Sequence, residues 1–380
     1  MSNARVLLVL DNFRVGGIER LALDQLFALS DMGISAVAYY RQEKATRDNP
    51  NFLELEEERI AQKGIQINAM PEGDLAQLRV LVQFLRNNRV SIVINHSIGA
   101  SVILRLAKIF SRNRVTVKTF IHQLPTLSAP MQRLKRFLYA LTSDELFGYS
   151  AAVVQDWNKR LNRNLLSRKL LGWKRPSILR NGIYLNRLPG LQMPKEEKPK
   201  QVRMVFIGRG VAWKNIDFII TSLRSLAKNQ VRALLVLPSI DPEARETLTA
   251  EFGNRIDFEI GKKIEDIVFT REDVNVYPVN YGPEAEFIES ISLNCLEMAC
   301  IGIPSLLTKG GCTTWPELLN QKIFYEVDWT RKEYFYSILN LAINSHLEIN
   351  QINYAKRLIS ITNNVAKILR IEDENLKFAK

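Results

Sequence analysis

Twice in this chain a short apolar run passes through a glycine turn into a helical pattern. Arg5 to Leu10 leads to Gly16-Gly17, and Val202 to Ile207 leads to Gly208-Arg209-Gly210. A run without polar alternation suits a strand covered on both faces, as in a parallel sheet flanked by helices. Glycine at the strand's end lets the backbone come close to a ligand. The recurrence of this unit about 200 residues later excludes an all-helical or an antiparallel fold and points to two α/β halves.

The rest of the chain agrees. After the turn Asp11 to Gly17, apolar positions from Ile18 to Leu29 predict a helix ending near Gly33. Strands are predicted over 34–40, 65–70, 90–95 and 115–121, with helices over 53–63, 75–87 and 100–110. The first half closes near Asn181-Gly182-Ile183. Pro189, Pro194 and Pro199 within a charged run predict a linker over 189–200. The second half continues with a helix over 217–228 and strands over 233–238, 256–260, 274–278 and 304–307. A mostly helical stretch follows over 334–379. Ligands of such sheets bind at the carboxyl ends of the strands, which predicts a shared site in the cleft between the halves.

Bulk properties narrow the class. At 380 residues the chain exceeds one ordinary core. Its 46% hydrophobic and 24% charged residues are those of a folded globular protein. No run approaches a membrane span, and the opening residues lack the pattern of a secretory signal, so a cytoplasmic location is expected. Three cysteines and three histidines show no metal-ligand spacing, so no metal is expected. The net charge of +12 calls for an anionic partner. No helix-turn-helix, zinc knuckle or RNA-binding aromatic motif is present, so nucleic acid is not expected. Charge concentrates at 132–139 and 163–175, where Lys and Arg alternate with Leu, Phe and Trp. Such segments suit an anionic membrane surface. Solvated helix faces packed on a core are the alternative.

The candidate site residues cluster in two places. Glu289 and Glu297 bracket Ser292, Leu293 and Asn294, which read as a turn opening a helix over 294–300 that stops at Gly302 and Pro304. A helix N-terminus binds anions through its unpartnered amides. Carboxylates repel phosphate and bind hydroxyls, so an anion with a carboxylate on either side reads as a diphosphate between two polyols: a sugar nucleotide. Upstream, Gly208 is followed by Arg209 and Lys214, a guanidinium fork and a point charge able to reach one diphosphate. In the first half, Gly16-Gly17 opens a helix but is not the dinucleotide fingerprint. No acidic residue ends the following strand, which disfavours a nicotinamide dehydrogenase. His122 ends the strand over 115–121 and is either a donor to a sugar hydroxyl or phosphate or a plain hydrogen-bonded surface histidine. His96 also follows a strand. Lys309-Gly310-Gly311-Cys312 is either a donor-sugar loop or a plain turn.

In these residues the chain resembles the retaining glycosyltransferases of the GT-B fold, of the large family 4 type (glycosyl transferases group 1). The matching features, in order, are Gly16 to Arg20; Asn181-Gly182-Ile183; Gly208-Arg209 with Lys214; the Glu289–Glu297 pair; and Met298 to Pro304. The resemblance implies two Rossmann-like doubly wound domains facing across a cleft. An acceptor domain would cover 1–185 and a nucleotide-sugar domain 186–355, with a C-terminal helix over 356–380 crossing back to the first. It implies that Arg209 and Lys214 hold the donor diphosphate, that Glu289 contacts the transferred sugar and Glu297 the ribose. Gly16 and Gly17 would border the diphosphate and acceptor, with His122 near the reacting sugar. Two departures stand out. Ser290 and Ile291 replace the usual glycine and aromatic after the first glutamate, and Cys300 replaces a commoner small residue.

The expected activity is metal-independent transfer from a UDP- or GDP-sugar to a glycan or lipid-linked acceptor, as in bacterial surface polysaccharide synthesis. A sugar-nucleotide epimerase of similar architecture would turn over donor without acceptor. A non-catalytic binding protein would lack the charged site residues, all of which are present.

Overall fold

The computed structural model describes residues 5–13, 16–41, 52–97, 100–122, 142–161, 175–189, 201–210, 214–226, 230–279, 292–308, 312, 314–329, 331–344 and 347–370. The chain divides into two units, 1–184 with 361–380 and 185–360.

The first unit is built on β1 (Val6–Leu10), β2 (Ala36–Arg41), β3 (Gln66–Met70), β4 (Ile92–Asn95), β5 (Thr116–Ile121), β6 (Glu145–Gly148) and the two-residue β7 (Ser177–Ile178). They lie in the order β3-β2-β1-β4-β5-β6-β7. Every pairing is parallel, with Val6 opposite both Ala36 and Ile92. All five residues of β1 are buried, which is why its sequence shows no alternation. Its helices are α1 (Gly17–Asp31), α2 (Phe52–Gln62), α3 (Asp74–Asn87), α4 (Ser101–Ser111) and α5 (Ala151–Leu161).

The second unit repeats the plan. Its strands are β8 (Val202–Ile207), β9 (Val231–Leu237), β10 (Ile256–Ile260), β11 (Asp273–Val276), β12 (Ser305–Leu307) and β13 (Phe324–Glu326). They run β10-β9-β8-β11-β12-β13, again all parallel. Helices α6 (Ile216–Ser225), α7 (Pro242–Phe252), α8 (Leu293–Ile301), α9 (Pro316–Asn320), α10 (Lys332–Asn344) and α11 (Ile349–Ile359) accompany the sheet. Both units thus have the 3-2-1-4-5-6 order of a doubly wound nucleotide-binding sheet. The last described helix, α12 (Ile361–Leu369), belongs to the first unit. There Lys118 Nζ donates to the carbonyl of Ile368 at 2.5 Å.

The two sheets share an internal device. Asn95, at the end of β4, donates through Nδ2 to Ser101 Oγ on α4 (3.1 Å) and Thr119 Oγ1 on β5 (3.2 Å). Asn275, in β11, donates to Ser305 Oγ on β12 (2.9 Å) and reaches Cys295 Sγ on α8 (3.5 Å). In each sheet the buried amide ties the strand beside the first one to the next helix and the next strand.

Helix α8 differs slightly from the expectation. It starts at Leu293 and runs to Ile301, so Leu293 and Asn294 sit in its first turn and Ser292 is the N-cap. It ends where expected, because Gly302 adopts a left-handed φ of 104° and Gly302 and Ile303 both donate to the Met298 carbonyl. The linker expected over 189–200 lies almost wholly outside the described residues.

Gly302→Ala places a Cβ in the left-handed region. The expected cost is about 1–2 kcal/mol, read as a lower urea midpoint with unchanged far-ultraviolet circular dichroism.

Candidate functional site

In the second unit the carboxyl end of β8 carries basic side chains. β8 ends at Ile207, and Gly208 continues it with φ 156°. A Cβ on Gly208 would lie 3.1 Å from Lys214 Nζ and in a backbone conformation that favours glycine, so glycine lets this ammonium lie close against the strand end. Lys214 is 8% exposed. Its Nζ sits 5.1 Å from the centre of the Tyr277 ring, which follows β11. Asn294, in the first turn of α8, donates through Nδ2 to the Ile207 carbonyl at 2.7 Å. That bond brings the N-terminus of α8 to the same strand end as Gly208 and Lys214. Unpartnered amides, a helix dipole and a lysine then serve one place, which is the chemistry of an anion site. Arg209 is exposed at the same turn. Glu289 lies outside the described residues, as do Lys309, Gly310 and Gly311.

Glu297 is 3% exposed and accepts a hydrogen bond from Arg187 Nη2, within a buried ion pair. Arg187 belongs to a 3-10 turn, Leu185–Arg187, and its Nη1 stands 3.8 Å from Glu265. A guanidinium with no side-chain exposure needs such carboxylates, since an isolated buried charge costs several kcal/mol. The sequence reading did not include Arg187. Its only signal was a basic residue just before the linker, and its partner lies 110 positions away.

Cys295, Cys300 and Cys312 are buried free thiols. Burial pushes Cys300 and Cys312 up to about 12.

In the first unit Gly16 is the extended N-cap of α1, and a Cβ on Gly17 would meet nothing within 4 Å. His122 directly follows β5, and His96 directly follows β4. The two rings meet, His96 Nδ1 to His122 Nε2, at 2.7 Å. His96 stacks on Phe120 with ring centres 4.6 Å apart. Its Nε2 lies 2.8 Å from Gln25 Oε1. Gln25 Nε2 donates to Asn364 Oδ1 on α12 at 3.0 Å, and Asn364 Nδ2 donates to the Arg180 carbonyl at 2.8 Å. Burial depresses both imidazoles: His122 falls to about 4, and His96 well below its usual value, with His122's charge adding to the effect. Both rings are therefore neutral at physiological pH. Gln25 and Asn364 escaped the sequence reading. A signal existed, since both interrupt apolar helix patterns: Leu21, Leu26 and Leu29 around one, Ile361, Val365 and Ile368 around the other.

The segments 132–139 and 163–175 lie outside the described residues. Among the described residues no helix is long and apolar enough to cross a membrane.

No family model matches this chain, and no curated protein matches it. Solved structures do. HepE of Anabaena, in complex with UDP, is 14% identical, superposes with a TM-score of 0.68, and covers 96% of this chain and 98% of its own. A glycosyltransferase from Rickettsia africae is 13% identical, with a TM-score of 0.71 over 99% and 100% of the two chains. The sucrose-phosphate synthase of Thermosynechococcus elongatus is 12% identical, with a TM-score of 0.64 over 99% and 100%. At these identities the likeness establishes the fold: two Rossmann-like domains, as in glycosyltransferases of the GT-B class.

Two measurements test this description. Arg187→Leu strands the Glu297 carboxylate in a buried site, so it is expected to cost about 3–5 kcal/mol. The double variant Arg187→Leu/Glu297→Leu should regain most of that loss in urea melts, and failure to do so would mean the pair is not the reason for the loss. The second concerns pH. The unfolded chain binds protons at His122 below about 6.5, whereas the folded chain does so only near 4. Stability from this group is thus full above pH 6.5 and declines as pH falls toward 4. Between pH 7 and pH 5 His122 is expected to account for a loss of roughly 1–2 kcal/mol, allowing for its partly exposed edge. The urea midpoint of His122→Gln should fall less over that interval than that of the unaltered chain.

Proposed function

We propose that this protein is a glycosyltransferase that moves a sugar from a nucleotide-sugar donor to a hydroxyl acceptor. The observation that carries the reading is the meeting of Gly208, Lys214 and the N-terminus of α8 at the end of β8, held by the Asn294–Ile207 bond. The likeness to HepE, solved with UDP, to a Rickettsia glycosyltransferase and to a sucrose-phosphate synthase supports it.

In this reading Lys214, Arg209 and the first amides of α8, including Leu293 and Asn294, take the donor diphosphate, with Ser292 at the cap. Gly208 leaves room for the lysine. Glu289 takes sugar hydroxyls. Glu297 takes the ribose, and with its carboxylate held by Arg187 it is an oriented hydrogen-bond acceptor. Gly16 and Gly17 border diphosphate and acceptor, and His122 serves a substrate hydroxyl. The donor is a UDP- or GDP-sugar and no metal is required, because the cations meet the charge that develops on the leaving diphosphate.

Transfer is taken to retain the anomeric configuration by displacement on one face. The bond from the anomeric carbon to the phosphate oxygen breaks as the acceptor oxygen bonds to that carbon, and the leaving phosphate accepts the acceptor's proton. The acceptor is a glycan or a lipid-linked glycan of bacterial surface polysaccharide synthesis. The basic, apolar segments 132–139 and 163–175 favour work beside an anionic membrane on its cytoplasmic side.

The test begins with thermal shift against UDP-, GDP-, ADP- and CDP-sugars, where stabilisation by a UDP- or GDP-sugar is expected. With that donor, Lys214→Ala should lower turnover at least tenfold, or ~1.4 kcal/mol of transition-state stabilisation. A smaller loss would remove Lys214 from its assigned role. Donor consumption without acceptor would point to an epimerase instead.

A further inference from the structure

The polar chain behind His122 has a direction. The Arg180 carbonyl can only accept, so Asn364 must present Nδ2 to it and Oδ1 to Gln25. Gln25 Nε2 fills that Oδ1, so its Oε1 is turned to His96. An amide oxygen only accepts, so His96 Nε2 carries a proton. A neutral imidazole has one N–H, which leaves His96 Nδ1 as a bare lone pair. The ring facing it at 2.7 Å is His122 Nε2, which must then be the donor. His122 has spent its one proton, so its Nδ1 is bare in turn. Four hydrogen bonds transmit the polarity of one backbone carbonyl to a ring at the strand edge. The middle of the chain is dry, with Gln25 0% exposed, Asn364 4% and His96 5%, while Arg180 and His122 at its ends are half-buried. Reversing it would set an amide oxygen against a carbonyl oxygen and leave both without a donor.

We propose that Asn364, Gln25 and His96 are positioning residues that lock His122 as its Nε2–H tautomer, so that Nδ1 meets substrate as a hydrogen-bond acceptor for a hydroxyl. The hydroxyl part of this statement rests on the transferase reading, whereas the lock itself does not. It gives α12 a task beyond packing, since the residue that sets the polarity lies on it. It also means that His122 receives a hydroxyl proton in a hydrogen bond and does not donate to phosphate.

The experiment uses the full chain labelled with nitrogen-15 in histidine, of which there are three. Long-range proton–nitrogen spectra at pH 7 should show both His96 and His122 with protonated Nε2 and bare Nδ1. A scalar coupling between His122 Nε2 and His96 Nδ1, with the proton on His122, would establish the direction of the central bond. A proton on His122 Nδ1, a charged ring or averaged tautomers would overturn the proposal. Asn364→Leu should release the lock, giving mixed tautomers at both rings while circular dichroism stays unchanged. Gln25→Leu, at the other end of the amide pair, should do the same, so that misfolding of one variant leaves the other to decide. A His122 tautomer unmoved in the folded variant would overturn the relay. The wild-type spectra need no substrate. If no nucleotide sugar stabilises the protein, the transferase reading fails while the tautomer result stands.

Discussion

The hydrogen bond from Asn294 to the Ile207 carbonyl is the contact on which the arrangement at the end of β8 depends. A parallel sheet leaves its strand ends with backbone groups that no neighbour pairs, and a helix leaves its first amides in the same condition. Either alone would be a solvated edge. The Asn294 side chain crosses from one to the other at 2.7 Å and fixes them as one surface. Gly208 matters here because a side chain would crowd the Lys214 ammonium at 3.1 Å and strain a backbone that favours glycine. The Gly302 cap, the buried thiols of α8 and the Asn275 bridge serve that same placement from the far end and the underside of the helix.

Beneath this surface the electrostatics are closed. Arg187 stands between two carboxylates, Glu297 and Glu265, away from solvent, and Arg203 grips Asp273 with two bonds of 2.6 and 2.7 Å at the start of β11. Buried pairs of this kind add little net stability, but they are costly to break from one side. They therefore act as register pins. Arg187 lies on the segment that enters the second domain, so its pairing with α8 fixes that segment against the helix that carries the site.

Legibility from sequence followed burial. β1 and β8 were readable because all or most of their residues are covered on both faces, leaving no alternation. The strand Glu145–Gly148 and the strand Phe324–Glu326 were not, since Glu145 and Glu326 break their short apolar runs, whereas the equally short Ser305–Leu307 follows the helix stop at Gly302 and Pro304. Helix α7 was missed for the opposite reason: Phe252 is its one buried residue, so it has no apolar stripe to read. Site residues followed the same logic. Gly208, Lys214 and Asn294 stand in local motifs at element ends, where short spacing carries the information. Gln25, Arg187 and Asn364 act through partners more than 70 positions away, and only the fold brings those pairs together.

The two domains divide the chemistry by charge. In the second, a lysine held against glycine and an aromatic ring, with a helix N-terminus beside it, offers positive potential and suits phosphate. In the first, the group at the strand edge is a neutral imidazole, depressed by burial and backed by amides, with no charge to offer an anion. A neutral acceptor discriminates hydroxyls from phosphates because it gains nothing from negative charge and cannot donate to it. Burial of the His96–His122 pair is thus more than a packing outcome. A ring solvated enough to ionise near pH 7 would carry a positive charge and lose that preference. The same burial is expected to lower stability as pH falls below about 6.5, so in the proposed transferase the preference for a hydroxyl and that acid sensitivity would share one physical cause.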